Sequence, residues 1–185
     1  IGFQFSNFPH MTYPTFESNI PTVMRFMIDC NMTGMCWVEI DADKCVPSMH
    51  RLSSCQLEFE APFSALKCHT PEGDWSRIPA LRVMSFDIEC LSEKHTFPEA
   101  EKDPVIQIAC VISKLGASDP SNRVIFTLNS CSSIPGVQVN TFKNERDMLL
   151  SFTDYVSKSD PDFVTGYNIL NFDFPYLLDR AKALG

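Results

Sequence analysis

The spacing of hydrophobic residues changes part-way along the chain, and this change predicts two structural parts. In residues 1–80, apolar positions at helical spacing follow Pro21, and the segments 37–40 and 55–60 alternate in the manner of short strands. The segment 70–74 is rich in turn-forming residues and is a plausible boundary loop. We therefore predict a small mixed α+β segment at the start of the chain.

Residues 81–185 contain longer apolar runs than the first part. Four of these runs predict strands, at 81–90, 105–112, 124–128 and 163–165. Because the first two runs carry apolar residues on both faces, they predict central strands that are covered on each side. Helices are predicted after Thr141 and from near Pro175. The second is predicted to face inward with Leu177, Leu178, Ala181 and Leu184. This order predicts an α/β (α+β) fold in which helices flank a mixed sheet.

Composition narrows the classes of protein to which the chain can belong. The 185 residues include 44% hydrophobic residues, enough for a packed core, which excludes a disordered tail. No apolar run approaches the 18 residues of a membrane span, so no membrane association is expected. The net charge is −8, from 23 acidic and 15 basic residues, which argues against a module that passively coats nucleic acid. An enzyme that meets nucleic acid through metal ions held by carboxylates stays possible.

Eight cysteines are spread along the chain without a Cys-x-x-Cys pair. They form no zinc-binding spacing with the four histidines, and a chain this apolar does not require disulfides. We therefore expect reduced thiols in an intracellular protein. The chain begins without Met and stops inside a helical run, from which we expect a piece of a longer protein.

Two carboxylates, Asp87 and Glu89, interrupt a strand that is otherwise apolar. Side chains at positions i and i+2 of a strand project from the same face, so both acids point the same way while Phe86 and Ile88 point into the core. Two like charges at this spacing are unfavourable unless a cation offsets them, and carboxylate oxygens suit Mg²⁺ or Mn²⁺. The alternative is that the strand ends early and the acids are solvated at its tip.

A second polar cluster joins the fourth strand to the last helix. Asp173 lies at the predicted start of this helix, directly after a strand end, and Asn168 precedes it by five residues. An acid at a helix start is also favoured by the helix dipole, and asparagine also serves turns. If Asp173 converges with the pair on the first strand, the three acids form a site for divalent metal. Such a site without a glycine-rich phosphate loop suggests two-metal hydrolysis of a phosphodiester.

These motifs resemble those of a known family. Phe86-Asp87-Ile88-Glu89 matches the first exonuclease motif of the family B DNA polymerases, and Asn168-x-x-x-Phe172-Asp173 matches their second motif. The resemblance extends over nearly the whole chain, and the residues from 72 to 107 fit the eukaryotic replicative type better than the herpesvirus type. A herpesvirus-type polymerase and a catalytically silent segment with the exonuclease fold are the alternatives.

The resemblance implies a fold and a set of site residues. It implies that residues 1–80 are the end of the polymerase's N-terminal domain and that 81–185 are the first part of an RNase H-like 3′→5′ proofreading exonuclease. It assigns the catalytic and metal-ligand roles to Asp87, Glu89 and Asp173, which would hold two Mg²⁺ or Mn²⁺ ions. Asn168 and Phe172 would bind the substrate, the single-stranded 3′ end of a DNA primer.

The resemblance also implies properties of a larger enzyme. The third exonuclease motif of the family, a tyrosine and a final aspartate, would follow residue 185, so we expect this fragment to be inactive alone. Accessory polymerase subunits, a sliding clamp and a location in the nucleus are expected on the same ground. The sequence itself shows no nuclear-localisation cluster.

Overall fold

The structure is a computed structural model that describes residues 2–3, 7, 9, 11–93, 96–120 and 122–185. It divides into two compact units, Ile1–Arg77 and Ile78–Gly185. Within the described residues, no helix has the length and apolar character that a membrane crossing requires.

Among the described residues, the first unit contains one α-helix and three two-stranded antiparallel pairs, β1–β2, β3–β6 and β4–β5. It also contains three short 3₁₀ helices, at Ala42–Lys44, Phe63–Ala65 and Gly73–Ser76. Its elements are β1 (Gly2–Phe3), β2 (Met11–Thr12), α1 (Thr22–Asp29), β3 (Trp37–Glu39), β4 (Val46–Pro47), β5 (Phe59–Glu60) and β6 (Lys67–His69). The helix after Pro21 is thus confirmed. The strand predicted over 55–60 is wrong in extent, because only its last two residues pair, and both Leu57 and Phe59 are exposed.

The second unit contains a five-stranded mixed sheet with the strand order β10-β9-β8-β7-β11. Its elements are β7 (Arg82–Cys90), β8 (Val105–Lys114), β9 (Asn122–Leu128), β10 (Gln138–Phe142), α2 (Glu145–Ser159), β11 (Phe163–Thr165) and α3 (Asp173–Leu184). The three long central strands are antiparallel, whereas β10 and β11 run parallel to their neighbours β9 and β7. The predicted mixed sheet with flanking helices is confirmed.

Strand β7 buries one face of its side chains, not two as predicted. Met84, Phe86 and Ile88 are buried, while Asp87 and Glu89 on the opposite face are exposed. Ser85, Asp87 and Glu89 alternate with these buried residues, so this part of the strand carries the pattern of a single buried face, which the apolar residues at Leu81 and Val83 obscured. The buried face contributes to the core together with residues from β8, β9 and both helices, among them Ile108, Cys110, Phe126, Met148 and Tyr176.

Two helix predictions require correction. Thr141 does not cap a helix but lies in β10, and α2 begins at Glu145, where the Asn144 side chain accepts a hydrogen bond from the Arg146 N–H. In α3, Leu178 and Ala181 are exposed rather than facing inward as predicted, whereas Tyr176 and Arg180 are buried. The spacing of apolar residues alone does not identify the inward face of α3, because Arg180 lies on that face and pairs with the buried Glu145.

A buried ion pair attaches α3 to α2. Arg180 donates from Nε and Nη2 to the two carboxylate oxygens of Glu145 at 2.9 and 2.7 Å. Glu145 also accepts from the backbone N–H of Val105, and Arg180 donates to the carbonyl of Ala100. Both members of the pair are satisfied, as buried charges must be, and together they fix α3 to α2 and to the start of β8.

Gly166 lets the chain leave the sheet immediately after β11. A Cβ atom at this position would overlap the backbone oxygen of Phe86 and the Cγ2 atom of Ile169. Glycine is required because the two backbones approach too closely for any side chain.

We predict that Gly166→Ala lowers the free energy of unfolding by about 1–3 kcal/mol, the usual cost of overpacking. Gly34→Ala is the matched control, since a Cβ at Gly34 meets no atom within 4 Å and its backbone is not left-handed. Urea denaturation of both variants measures the difference. Equal midpoints for the two variants would contradict the close approach at Gly166.

We also predict that Arg180→Met lowers the free energy of unfolding by about 3–5 kcal/mol, because it leaves the Glu145 charge buried without a partner. The double variant Glu145→Gln/Arg180→Met should lose less, since it removes the uncompensated charge. Lys182→Met on the same helix breaks only an exposed ion pair with Asp179 and should cost about 0–1 kcal/mol. If all three variants unfold at the same urea concentration, the buried pair does not hold α3.

Candidate active site

Asp87 and Glu89 lie on the exposed face of β7, as the i, i+2 spacing predicts. Their neighbours on β8 are Ala109 and Gln107 respectively, which lie directly opposite them in the antiparallel register. The two acids therefore occupy an open face of a central strand whose other face forms the core.

Asp173 is brought to the same strand by the start of α3. Its Oδ1 atom accepts a hydrogen bond from the backbone N–H of Ile88 at 3.1 Å, and the residue is 1% exposed. The register of β11 ends at the pair Thr165 and Ser85, so the Ile88 N–H lies beyond the last residue of that strand. The Asp173 carboxylate thus takes the place of a backbone acceptor in the sheet.

The environment of Asp173 disfavours its negative charge. Burial raises the pKa of Asp173, the hydrogen bond from the Ile88 N–H opposes this rise, and the nearby carboxylate of Asp87 adds to it. The carboxylates of Asp87 and Asp173 repel each other, and a divalent cation bound between them would offset that repulsion. Oxygen donors on facing elements are the ligand type that Mg²⁺ and Mn²⁺ prefer.

The residues fit a metal in type, and their arrangement is incomplete. Within the described residues, no group of three or more histidines, cysteines, aspartates and glutamates is arranged to hold a metal ion. Asp87 and Asp173 interact with each other, and Glu89 follows on the same face of β7 as Asp87. A third ligand therefore requires a movement of the exposed Glu89 side chain or a further donor.

Asn168 and Phe172 lie in the turn between β11 and α3. Asn168 adopts the left-handed conformation with φ 55°, and its Oδ1 accepts a hydrogen bond from Asn171 Nδ2 at 2.8 Å. Its carbonyl accepts from the N–H groups of Asn171 and Phe172, so Asn168 shapes the turn. The side chain is exposed and stays accessible to a ligand.

Phe172 is half-buried between two aromatic rings. Its ring lies 5.3 Å from that of Phe97 and 5.5 Å from that of Tyr176, measured between centroids. Phe97 is 77% exposed and therefore presents a free aromatic face next to the turn. No pattern in the sequence marks Phe97 as a candidate site residue, because it lies in a loop outside any periodic segment.

Comparison with known proteins identifies the family. Residues 13–185 match the model for the DNA polymerase family B exonuclease domain. The chain belongs to this family. The resemblance noted in its motifs is thereby confirmed, as is the mixed α/β fold that the resemblance implied.

Catalytic subunits of DNA polymerase delta are among the proteins that the chain resembles. The chain is 48% identical to that of Candida albicans over 96% of its length and 45% identical to that of Arabidopsis thaliana over 100% of its length. It spans 17% of the length of each of these two relatives. These relatives confirm the eukaryotic replicative type that the flanking residues indicated.

A solved structure supports the same family. The family B DNA polymerase from the archaeon Pyrobaculum calidifontis superposes with a TM-score of 0.65 at 29% identity. The match covers 92% of this chain and 18% of the archaeal chain.

The structure also reveals residues near the site that the sequence did not single out. Tyr176 donates from its hydroxyl to the carbonyl of Asp103 at 2.8 Å, which ties the loop before β8 to α3.

Burial raises the pKa of Cys110 to about 12 and that of Cys90 to about 11. All eight cysteines are free thiols, so these two pack as apolar residues rather than as reactive groups.

We predict that Asp173→Asn raises the thermal midpoint of the chain at pH 7 in EDTA. Asn keeps an oxygen acceptor for the Ile88 N–H and removes a charge that the fold disfavours. The folded-state pKa of Asp173 is raised above 3.8, so its protonated form favours folding, and this contribution is lost as the pH rises through the folded-state pKa. The advantage of the variant should therefore shrink as the pH falls toward 3.8.

Asp179→Asn is the control for this measurement. Asp179 lies on the same helix but is exposed and paired with Lys182, so its replacement should leave the midpoint unchanged or slightly lower it. A lower midpoint for Asp173→Asn than for the unmodified chain in EDTA at pH 7 would overturn the charge argument.

Proposed function

We propose that the chain contributes to the 3′→5′ proofreading exonuclease of a DNA polymerase delta-type catalytic subunit. The single observation that carries the proposal is the attachment of Asp173 to the strand that bears Asp87 and Glu89. This contact joins the acids of two separate motifs at one place. The match to the family B exonuclease domain supports the same activity.

Asp87, Glu89 and Asp173 would hold two Mg²⁺ ions, or Mn²⁺ ions, through their carboxylate oxygens. When bound, such ions lower the pKa of an attacking water and stabilise the leaving 3′ oxygen of the terminal nucleotide. The Ile88 N–H fixes the direction of the Asp173 carboxylate, and the rigid strand fixes the Cα positions of the other two acids. The protein thus holds these three acids near their metal-binding positions before the ions bind.

The turn before α3 would receive the unpaired 3′ end of the DNA. Asn168 presents an exposed amide that can form hydrogen bonds with a nucleotide, while its backbone holds the turn. The exposed face of Phe97, supported edge-on by Phe172, suits stacking on an unpaired base, an interaction that tolerates any base. A single strand could reach these groups more easily than a paired one.

The relatives suggest the wider setting. They are named catalytic subunits, which supports accessory subunits as partners of this chain, and we extend the proposal to a sliding clamp. A replicative DNA polymerase of a eukaryote acts on chromosomal DNA, so we propose a nuclear location. DNA with a single-stranded 3′ primer end is the proposed substrate.

A structural segment without catalysis is the second candidate. It is favoured by one observation: among the described residues, no three potential ligands are arranged around a common point. The retention of all three acids at the motif positions favours the nuclease instead. Metal-dependent excision distinguishes the two candidates.

We predict that Asp87→Ala or Glu89→Ala in the catalytic subunit lowers excision of a mismatched primer end by about a thousandfold. Each change removes a proposed ligand, and a loss of about 4 kcal/mol of metal assistance corresponds to this factor. The assay follows a 3′-labelled mismatched primer in Mg²⁺ and measures nucleotide addition in parallel. Nucleotide addition should persist, because we place polymerisation at a separate site.

Asp154→Ala is the matched control, since Asp154 is an exposed carboxylate on α2 that pairs with Lys158. It should leave both activities unchanged. Undiminished excision by the Asp87 and Glu89 variants would support the silent segment and refute the proposed nuclease site.

A further inference from the structure

Glu89 has a polar neighbour across the sheet. Gln107 of β8 lies directly opposite it in the antiparallel register and is half-buried. Opposed residues on antiparallel strands project from the same face, with Cβ atoms about 4.5–5.5 Å apart. The residue opposite Asp87 is Ala109, which offers no polar group. The two acids of β7 therefore differ in the support they receive from β8.

The pairing of Glu89 with Gln107 is the last regular pair before an irregularity. The next residue, Cys90, pairs with Val105, so Ile106 is an extra residue on β8. A bulge of this kind bends the strand and changes the direction of adjacent side chains. Gln107 thus lies next to the bulge, where the direction of its side chain is set by the irregular strand geometry.

On its other side, Gln107 lies opposite Thr127 of β9. Thr127 is 2% exposed, and its Oγ1 atom is buried with no hydrogen-bond partner among the residues that the structure describes. A buried hydroxyl without a partner is unfavourable, and an adjacent amide is a suitable acceptor. The amide of Gln107 offers both an acceptor and a donor, so it can serve Thr127 and Glu89 at the same time.

We propose that Gln107 is a positioning residue for Glu89. In the metal-bound state, the Thr127 hydroxyl would donate to Gln107 Oε1 and orient the amide so that Nε2 donates to the Glu89 carboxylate. Glu89 is an exposed side chain with several rotatable bonds, and this donor limits the directions in which its oxygens point toward a divalent metal. The inference rests on the proposed function, because it assigns Glu89 the role of a metal ligand.

The first test measures Mn²⁺ binding to the 185-residue chain by electron paramagnetic resonance. Gln107→Leu should raise the Kd for Mn²⁺ about tenfold, as loss of a hydrogen bond to a metal ligand commonly does. Thr127→Val should also raise the Kd. Its thermal midpoint without metal should stay equal or increase, because in that state valine replaces a buried hydroxyl that has no partner among the described residues. If Gln107 and Thr127 had only a structural role, weaker Mn²⁺ binding would be accompanied by a lower thermal midpoint.

The second test follows excision of a mismatched primer end by the catalytic subunit at several Mg²⁺ concentrations. Gln107→Leu should lower the rate at low Mg²⁺, and high Mg²⁺ should restore it, because the defect lies in metal affinity. The double variant Gln107→Leu/Thr127→Val should be no weaker than Gln107→Leu alone, since both changes remove one chain of contacts. Gln138→Leu and Thr141→Val, which change exposed residues of β10, should match the unmodified protein in both tests.

The outcomes separate this inference from the proposed function. If the unmodified protein binds Mn²⁺ and excises the primer end, and Gln107→Leu does the same with equal affinity, the positioning role is wrong and the nuclease stands. If Gln107→Leu is impaired but Thr127→Val is not, the orienting role of Thr127 is wrong. If the unmodified protein neither binds Mn²⁺ nor excises, the proposed function is wrong and this inference fails with it.

Discussion

The hydrogen bond from the Ile88 N–H to the Asp173 carboxylate is the interaction on which the candidate site depends. It exists because β11 is only three residues long and its pairing with β7 stops at Ser85. A longer β11 would provide a backbone carbonyl for Ile88 and would exclude the carboxylate. Gly166 permits the early departure, since its backbone passes against Phe86 where no side chain fits. The shortness of one strand therefore creates the place that an acidic side chain fills.

The position of Asp173 also depends on the rest of α3. At the far side of the helix, Arg180 binds Glu145 of α2, and Tyr176 binds the carbonyl of Asp103. These contacts fix the helix along its length, so its first residue cannot slide along β7. Buried ion pairs contribute little net stability compared with apolar packing, but removing one partner is costly. In this chain we infer that the Arg180–Glu145 pair selects one position of α3 and adds little net stability. For this reason, loss of one partner lowers the free energy of unfolding more than loss of both.

The sequence predicted the positions of the three acids better than it predicted the elements around them. The common face of Asp87 and Glu89 follows from strand geometry alone, and the location of Asp173 follows from the strand–helix junction. Strand β10 was missed because Thr141 is both a good helix cap and a good strand residue, and only pairing with β9 decides between them. The buried role of Arg180 depends on Glu145, which lies 35 residues away in the chain, and no local pattern reports such a partner.

The arrangement places an acid where the fold alone disfavours its charge. Asp173 is buried beside Asp87, and both burial and that neighbour raise its pKa, so the metal-free protein holds an unfavourable carboxylate. A more exposed aspartate would avoid this cost, but water would then compete for a bound cation and screen its charge. The same burial that disfavours the free carboxylate strengthens its attraction to a divalent ion. The unfavourable charge is sustained by the extensive core behind β7, to which Phe86 and Ile88 contribute together with residues of both helices.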